Sequence, residues 1–413
     1  MRDEHAGGVQ ATTRGDPRLQ LLTGPEATEI LAAALDCAGG RLLRWSLREV
    51  DCRPEDRTTV SYAAVVAWPD GEHHETLAAS VSSTEPTGGL TITDGHRYVQ
   101  VWRFPFDPEL PGLPGACDRS TVAELLRSLG VDPVGLRLQV VSYRPRKRAV
   151  VEVLAGRHRL FLKVLRPRLV ADVHGRHRML TAVGIPVPRS LGWSEDGVVV
   201  LAALPGRLMR AVLDTGVVPL GAPQDLIDLL DALPAEIAEL PRRPSWSANV
   251  SHYAEVVAAA CPDHGARLRS LAGDIRSALA RYGHGDEPTH GDFYDSQLLV
   301  SCGAVTGLLD IDAMGPGRRA DDLACMLAHL SVLTTLDCDA AIGARRALAE
   351  WTPVFEQRVS PEELRVRAAG VVMSLATGPF RAQEPGWQTA TSERISLVEQ
   401  WLEAAVSGGR PGV

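Results

Sequence analysis

The sequence predicts an α+β protein with a small β-rich lobe, a large helical lobe and an additional N-terminal α/β module. Three observations predict it. Between residues 136 and 203, short runs rich in branched residues give three strands, a helix and a further strand. From residue 224 onward, apolar residues recur at helical spacing instead. The chain of 413 residues exceeds what one hydrophobic core serves, so two or three domains are expected.

In chain order, residues 1–18 are polar and rich in Gly, Asp and Arg, without the apolar stretch of a signal peptide, and are expected to form a disordered tail. Residues 19–118 make the N-terminal module or cap. Gly24-Pro25-Glu26 opens a helix over Ala27 to Cys37, followed by strands around Leu42–Val50, Thr58–Trp68 and His74–Val81. Arg53-Pro54-Glu55-Asp56-Arg57 echoes Arg144-Pro145-Arg146-Lys147-Arg148, each between two strands. Either the module is a degenerate copy of the later hairpin, with Ala79 or Ser80 where a lysine would fall, or the short echo is coincidence. Asp107 to Gly115, with three prolines and two glycines, reads as a linker. Thr121-x-x-Glu124 is a capping box opening a helix over Val122–Leu129.

The small lobe spans 119–205. Leu136–Tyr143 and Ala149–Leu154 flank the Arg-Pro turn, and Ala155-Gly156 leads into a third strand, Arg159–Leu165. A helix over Arg168–Val183 ends at Gly184, and Ile185-Pro186-Val187-Pro188 leaves it extended. The apolar strand Gly197–Ala203 is broken by Leu204-Pro205-Gly206. The large lobe, 206–413, has helices at Leu226–Leu233, Tyr253–Ala260, Leu268–Tyr282, Asp321–Thr335, Ala340–Glu350, Pro361–Ala376 and Ser392–Ala405. A loop, a short strand (Gln297–Val300) and a longer one (Val305–Ile311) interrupt them, and Ser407–Val413 reads as a frayed tail.

Composition excludes several classes. Apolar content of 45% is ordinary for a globular protein, and no apolar run approaches the ~20 residues of a membrane helix. The net charge of −8 sits in the first 118 residues, which carry 10 basic and 18 acidic side chains. With no basic stripe, a nucleic-acid partner is not expected. The balanced charge of the remainder gives no sign of an acidic cleft for a polycation. Seven cysteines without a C-x-x-C predict reduced, mostly buried thiols and a cytoplasmic location. His73-His74 and His174-x-x-His177 have no matching ligand pair and are expected to be solvated or packed.

The chemistry concentrates in Thr289-His290-Gly291-Asp292-Phe293-Tyr294-Asp295-Ser296-Gln297, followed by Leu308-Leu309-Asp310-Ile311-Asp312. A carboxylate follows a tight His-Gly turn, an amide comes five residues later, and a second carboxylate ends an apolar run. Phosphoryl transfer needs one group to orient a hydroxyl and oxygen ligands to hold magnesium on the phosphates. The Asp292–Gln297 spacing is that of the kinase catalytic loop. Of 43 basic residues only Lys147 and Lys163 are lysines, and Lys163 stands in the apolar strand Leu160–Leu165.

His290-Gly291-Asp292 with Gln297, Leu309-Asp310, Gly315-Pro316-Gly317 and Asp322-Leu323-Ala324 resemble the aminoglycoside phosphotransferase family, over roughly 136–330. The resemblance implies a bilobal protein-kinase-like fold and a small-molecule kinase using ATP or GTP with Mg²⁺. It implies Asp292 as catalytic base, against a capping Asp after Gly as the plain alternative. Gln297 takes the position of a magnesium-binding Asn, or is a Gln opening a strand. Asp310 matches the metal-binding Asp; Asp312 is a second metal ligand or a solvated carboxylate. Lys163, with Arg148 or Arg146, would meet the phosphates, and Ala203 at the hinge would contact the nucleotide. Asp322 would brace the catalytic loop.

Two departures stand out. Arg144–Arg148 carries no G-x-G-x-x-G, and helix 168–183 lacks a Glu to pair with Lys163, having only the early Asp172. The resemblance implies as acceptor a small polar molecule such as an aminoglycoside or related metabolite. Gln297 and the N-terminal module instead resemble maltokinase-like sugar kinases. The missing Glu leaves a third expectation, a nucleotide-binding scaffold without turnover.

Overall fold

Residues 16–53, 57–86, 90–93, 96–215 and 221–408 are described by the computed structural model and fall into two units. The first takes the chain to Phe104 with Glu255–Leu268 and Pro379–Gln388; the second takes the remainder. Residues 1–15, 54–56, 87–89, 94–95, 216–220 and 409–413 lie outside the description, and with them most of the two stretches expected to be terminal tails.

In the first unit, α1 (Pro17–Thr23) and α2 (Glu26–Asp36) precede five strands: β1 (Arg41–Arg53), β2 (Arg57–Trp68), β3 (Gly71–Ser82), β4 (Leu90–Thr93) and β5 (Tyr98–Arg103). Asp16 caps α1, accepting from the Arg18 N–H at 2.9 Å, and Glu26 and Glu29 suit the positive end of α2. The sheet is antiparallel in the order β1-β2-β3-β5-β4. Its core is Leu19, Leu22, Leu31, Tyr62, Leu77 and Val81, all at most 1% exposed. Burying each Leu contributes roughly 1.5–3 kcal/mol. The Tyr62 hydroxyl donates to the Leu22 carbonyl at 2.7 Å, so its polar tip is satisfied inside this core.

The second unit begins with α3 (Leu113–Cys117) and α4 (Arg119–Ser128), then β6 (Arg137–Arg144), β7 (Arg148–Ala155), β8 (His158–Leu165), α5 (Pro167–Ala182), β9 (Ser190–Trp193) and β10 (Val198–Ala202). Its sheet runs β6-β7-β8-β10-β9, the same order as the first. The repetition reaches the register. Arg53 pairs with Arg57 and Arg57 with Ser82, as Arg144 pairs with Arg148 and Arg148 with Leu165. Two residues inward, Thr59 faces Ser80 where Val150 faces Lys163. Ser80 and Gln100 thus stand where Lys163 and Val199 stand. Only residues 83–89 separate β3 from β4, leaving no room for a counterpart of α5.

The helical lobe continues with β11 (Arg207–Leu208), α6 (Met209–Leu213), α7 (Pro223–Asp231), α8 (Val250–Ala260), α9 (Gly265–Leu279), β12 (Glu287–Thr289), β13 (Leu298–Ser301), β14 (Ala304–Leu308) and β15 (Gly315–Gly317). It closes with α10 (Arg319–Thr334), α11 (Ala340–Arg358), α12 (Pro361–Leu375), α13 (Gly378–Arg381) and α14 (Trp387–Ser407). Helix α10 is buried on nearly every side, as a central helix must be. The small antiparallel lobe, the break after β10 and the helical lobe make the bilobal protein-kinase-like fold the sequence predicts. No described helix is long and apolar enough to cross a membrane.

Four expectations change. Asp107–Gly115 is no linker: Asp107 is buried and accepts from the Tyr143 hydroxyl (2.8 Å) and the Arg146 N–H (2.7 Å), and Leu110 and Leu113 are fully buried. A Cβ on Gly112 would lie 2.8 Å from Val198, so glycine here permits close packing rather than slack. Residues 105–118 accordingly group with the second unit. Helix α4 is capped by Asp118, which accepts from the Thr121 N–H at 2.8 Å, so Thr121 lies inside the helix. Strand β14 stops at Leu308, because Asp310 takes a left-handed backbone (φ 51°). Of the seven cysteines, all free, only Cys52 and Cys325 are buried.

Candidate active site

The loop after β12 is shaped by two contacts. Asp322, in the first turn of α10, accepts from the N–H groups of His290 (2.9 Å) and Gly291 (2.8 Å), one on each carboxylate oxygen. Gly291 has φ +80°, and a Cβ there would sit 2.6 Å from the Ala313 carbonyl. Only glycine combines that backbone with that approach. The His290 Nε2–H donates to the Leu309 carbonyl (2.9 Å), and its Nδ1 accepts from the Asp292 N–H (3.3 Å). Both partners fit the neutral tautomer, and burial lowers the His290 pKa. One imidazole thus ties Asp292 to the residue before Asp310.

The β13–β14 hairpin does the same for Gln297. Leu298 pairs with Leu308, and the Leu309 N–H donates to the Gln297 carbonyl at 2.7 Å. Gln297, 7% exposed, therefore sits across from Asp310's neighbour. Asp310 is held from the other lobe. Lys163 Nζ lies 2.8 Å from Asp310 Oδ1, and Arg148 Nη1 lies 2.6 Å from Asp310 Oδ2. Lys163 also meets Asp312 Oδ2 at 2.7 Å, whereas Asp312 Oδ1 is buried without a hydrogen-bond partner.

Burial alone would take the charge off Lys163, but Asp312 and Asp310 outweigh it and raise the pKa. Burial likewise pushes Asp310 up, and Lys163 and Arg148 reverse the sign, holding its carboxyl below the usual range. Asp292 goes the other way. Burial, reinforced by the negative charge of Asp310, pushes it up to about 6 against the opposing pull of His290, Arg148 and a hydrogen bond from Trp246. Two carboxyls in one site are driven apart, an arrangement that assigns them different protonation chemistry.

A profile of the phosphotransferase enzyme family (APH) matches residues 146–355, just over half of the chain and the span that holds every group above. The protein belongs to that family. This phosphotransferase acts on an alcohol group of a small molecule. Among solved structures it is similar to an aminoglycoside-3'-phosphotransferase of type VIII, at 26% identity over 61% of this chain and 98% of that one (TM-score 0.42). It is also similar to a macrolide 2'-phosphotransferase from Brachybacterium faecium, at 17% identity over 67% and 98% of the two chains (TM-score 0.40). An ethanolamine kinase from Plasmodium vivax matches at 12% identity over 64% and 82% (TM-score 0.44). No curated protein matches. TM-scores at this level leave the assignment to the family match and to the geometry of the site.

In this phosphotransferase the anion expected on the third-strand lysine's helix has moved. Helix α5 brings no carboxylate to Lys163; Asp312 supplies it from the turn Ile311–Ala313. From α5 comes Arg176 instead, whose Nη1 donates to the Asp312 carbonyl at 2.5 Å and whose Nε is buried without a partner. The flanking histidines serve packing: His174 bonds Ser190 (2.8 Å) and His177 bonds the Pro188 carbonyl (2.7 Å), with burial, then Lys163, lowering the His177 pKa to about 4.

The remaining expected residues divide. Arg146 points away, pairing with Glu109 at 2.5 Å, so Arg148 alone of that turn reaches Asp310. Ala203 sits just past β10, and its N–H donates to the Arg159 carbonyl of β8 at 3.0 Å. The phosphotransferase also holds residues that sequence reasoning missed: Arg176, Trp246, and His329 stacked on Tyr294 at 3.8 Å. Helical spacing from Asp322 puts Cys325 and His329 on one side of α10, a signal that was present. Nothing local in the sequence marked Trp246.

Proposed function

We propose that the protein transfers the γ-phosphoryl group of ATP or GTP, with Mg²⁺, to a hydroxyl of a small polar acceptor. The observation that supports this most is the meeting of Lys163, Arg148, Asp310 and Asp312 beside Asp292. Lys163 and Arg148 come from the small lobe and are the cations placed to bind phosphate oxygens. Asp292 accepts the proton of the acceptor hydroxyl as its oxygen bonds to the γ-phosphorus and the bond to the β-phosphate oxygen breaks. A base so positioned is worth roughly 10²–10⁴-fold. His290 and Asp322 hold that carboxylate in line.

Asp310, the Gln297 amide and the orphaned Asp312 Oδ1 are oxygen donors of the kind Mg²⁺ prefers and are the groups that would hold it. When bound, the ion would offset the charge of the phosphates. With the Ala203 N–H engaged by β8, base recognition at the hinge falls to neighbouring groups.

For the acceptor, one observation favours the sugar-kinase reading over aminoglycosides. The Asp292 side chain receives a hydrogen bond from Trp246, Trp246 lies 5.8 Å from Tyr253, and the Tyr294–His329 stack borders the same loop. Burial, then the positive charges of Arg210 and Arg394, push His329 down to about 3. Aromatic walls of this kind suit the apolar face of an uncharged hydroxylated ring. The test is ADP release from ATP across neutral sugars, sugar acids and aminoglycosides, beside Asp292→Asn. Turnover lost in that variant is expected. Nucleotide binding without Asp292-dependent turnover of any acceptor would refute the kinase reading, and preference for aminoglycosides would refute the acceptor class alone.

A further inference from the structure

Asp292 borders a second set of donors, on the side facing α10. Cys325 and His329 stand one helical turn apart, and their sulfur and ring nitrogen lie with a carboxylate oxygen of Asp292 all within 4.8 Å of one another. The set comes from two elements whose relative position is fixed by the bonds of Asp322 to the loop backbone. Cys325 has no part in the phosphoryl-transfer chemistry above, and His329 enters it only as the ring stacked on Tyr294.

We propose that Asp292, Cys325 and His329 form a binding site for a soft or borderline divalent cation of the Zn²⁺ class, which shuts the enzyme down by occupying its base. One thiolate, one imidazole and one carboxylate are the ligand types zinc takes, and three protein ligands leave a fourth position for water or an acceptor oxygen. Donor atoms no more than 4.8 Å apart are close enough to share one ion.

Charge favours the same ion. On binding, the Cys325 S–H gives its proton to water, Asp292 binds as carboxylate and His329 as neutral imidazole, so two anionic ligands balance the dication in a mostly buried place. Cys325 is 1% exposed, so the thiolate that forms is shielded from oxidants, while the partly exposed Asp292 and His329 leave a path from the cleft.

Hardness separates this site from the proposed magnesium site. Asp310, Gln297 and Asp312 offer only oxygen, whereas Cys325 and His329 offer sulfur and nitrogen that Mg²⁺ binds poorly. Asp292 lies between the two sets. Zinc there would remove the carboxylate from the acceptor hydroxyl without displacing the groups that hold the nucleotide.

The test reads metal binding on the full chain first, independently of turnover. Equilibrium dialysis with Zn²⁺ in the presence of excess Mg²⁺ should give one ion per chain, and Co²⁺ in its place should show a thiolate charge-transfer band. Cys325→Ala and His329→Asn, each checked for a native thermal transition, should weaken binding by at least about 100-fold, the upper end of losing a mere outer-sphere partner. In turnover assays Zn²⁺ should inhibit the parent protein and be relieved by acceptor rather than by nucleotide, and Cys325→Ala should resist it. Equal zinc affinity in both variants, or a cobalt complex without the thiolate band, would overturn the site even if the enzyme turns over as proposed.

Discussion

Asp292 and Asp310 differ because of what faces them. Burial lifts Asp292 to about 6, while Lys163 and Arg148 hold Asp310 ionised. A base must be deprotonated to accept, so kcat/KM should fall as pH drops through about 6, and a pH profile of the free enzyme checks it. Asp292→Asn should lose roughly 10²–10⁴-fold in kcat and show no such limb. Asp312→Asn removes a charged partner from Lys163, a loss of about 1.5–3 kcal/mol, and should raise the nucleotide Kd by about 10–100-fold, read by calorimetry. Gly291→Ala meets the Ala313 carbonyl in a left-handed backbone. It should destabilise by roughly 1–3 kcal/mol or more, lowering the Tm and the rate together.

At the scale of elements, the site is an intersection. The β13–β14 hairpin, the β12–β15 pair, α10 and the small-lobe sheet each deliver one or two groups. Helix α5, which the sequence shows to lack a Glu for Lys163, is tied to the Asp312 turn by Arg176. Polarity is reversed: the helix brings the cation and the turn brings the anion. Arg176→Gln should therefore loosen Asp312 and raise the KM for nucleotide more than it lowers kcat. A loss confined to kcat would mean that α5 has no part in seating Lys163. Charge reversal between Asp312 and the helix also explains why scanning residues 168–183 for Glu could not find the lysine's partner.

Across the molecule, two sheets share strand order and register, yet the position of Lys163 in one is held by Ser80 in the other. Ser80 and Gln100 replace Lys163 and Val199, and no helix of α5's length fits between β3 and β4. Calorimetry should find one nucleotide per chain, abolished by Lys163→Ala and unchanged by Ser80→Ala. A second nucleotide lost with Ser80 would make the N-terminal sheet a working lobe. The echo of R-P-x-x-R was legible in the sequence. Its extension to five strands was not, because pairing register is set by contacts far apart in the chain.

The sequence by itself determined the strands and helices on either side of Leu204-Pro205-Gly206, the loop from Thr289 to Gln297 and the place of Asp310 just past an apolar strand, since these rest on local periodicity and on spacing within one segment. Tertiary structure alone decided that Asp312 meets Lys163, that Asp107–Gly115 packs instead of linking, and that Trp246, Cys325 and His329 surround Asp292. Those facts depend on side chains brought together by folding, where burial and opposite charge, rather than sequence neighbours, choose the partner.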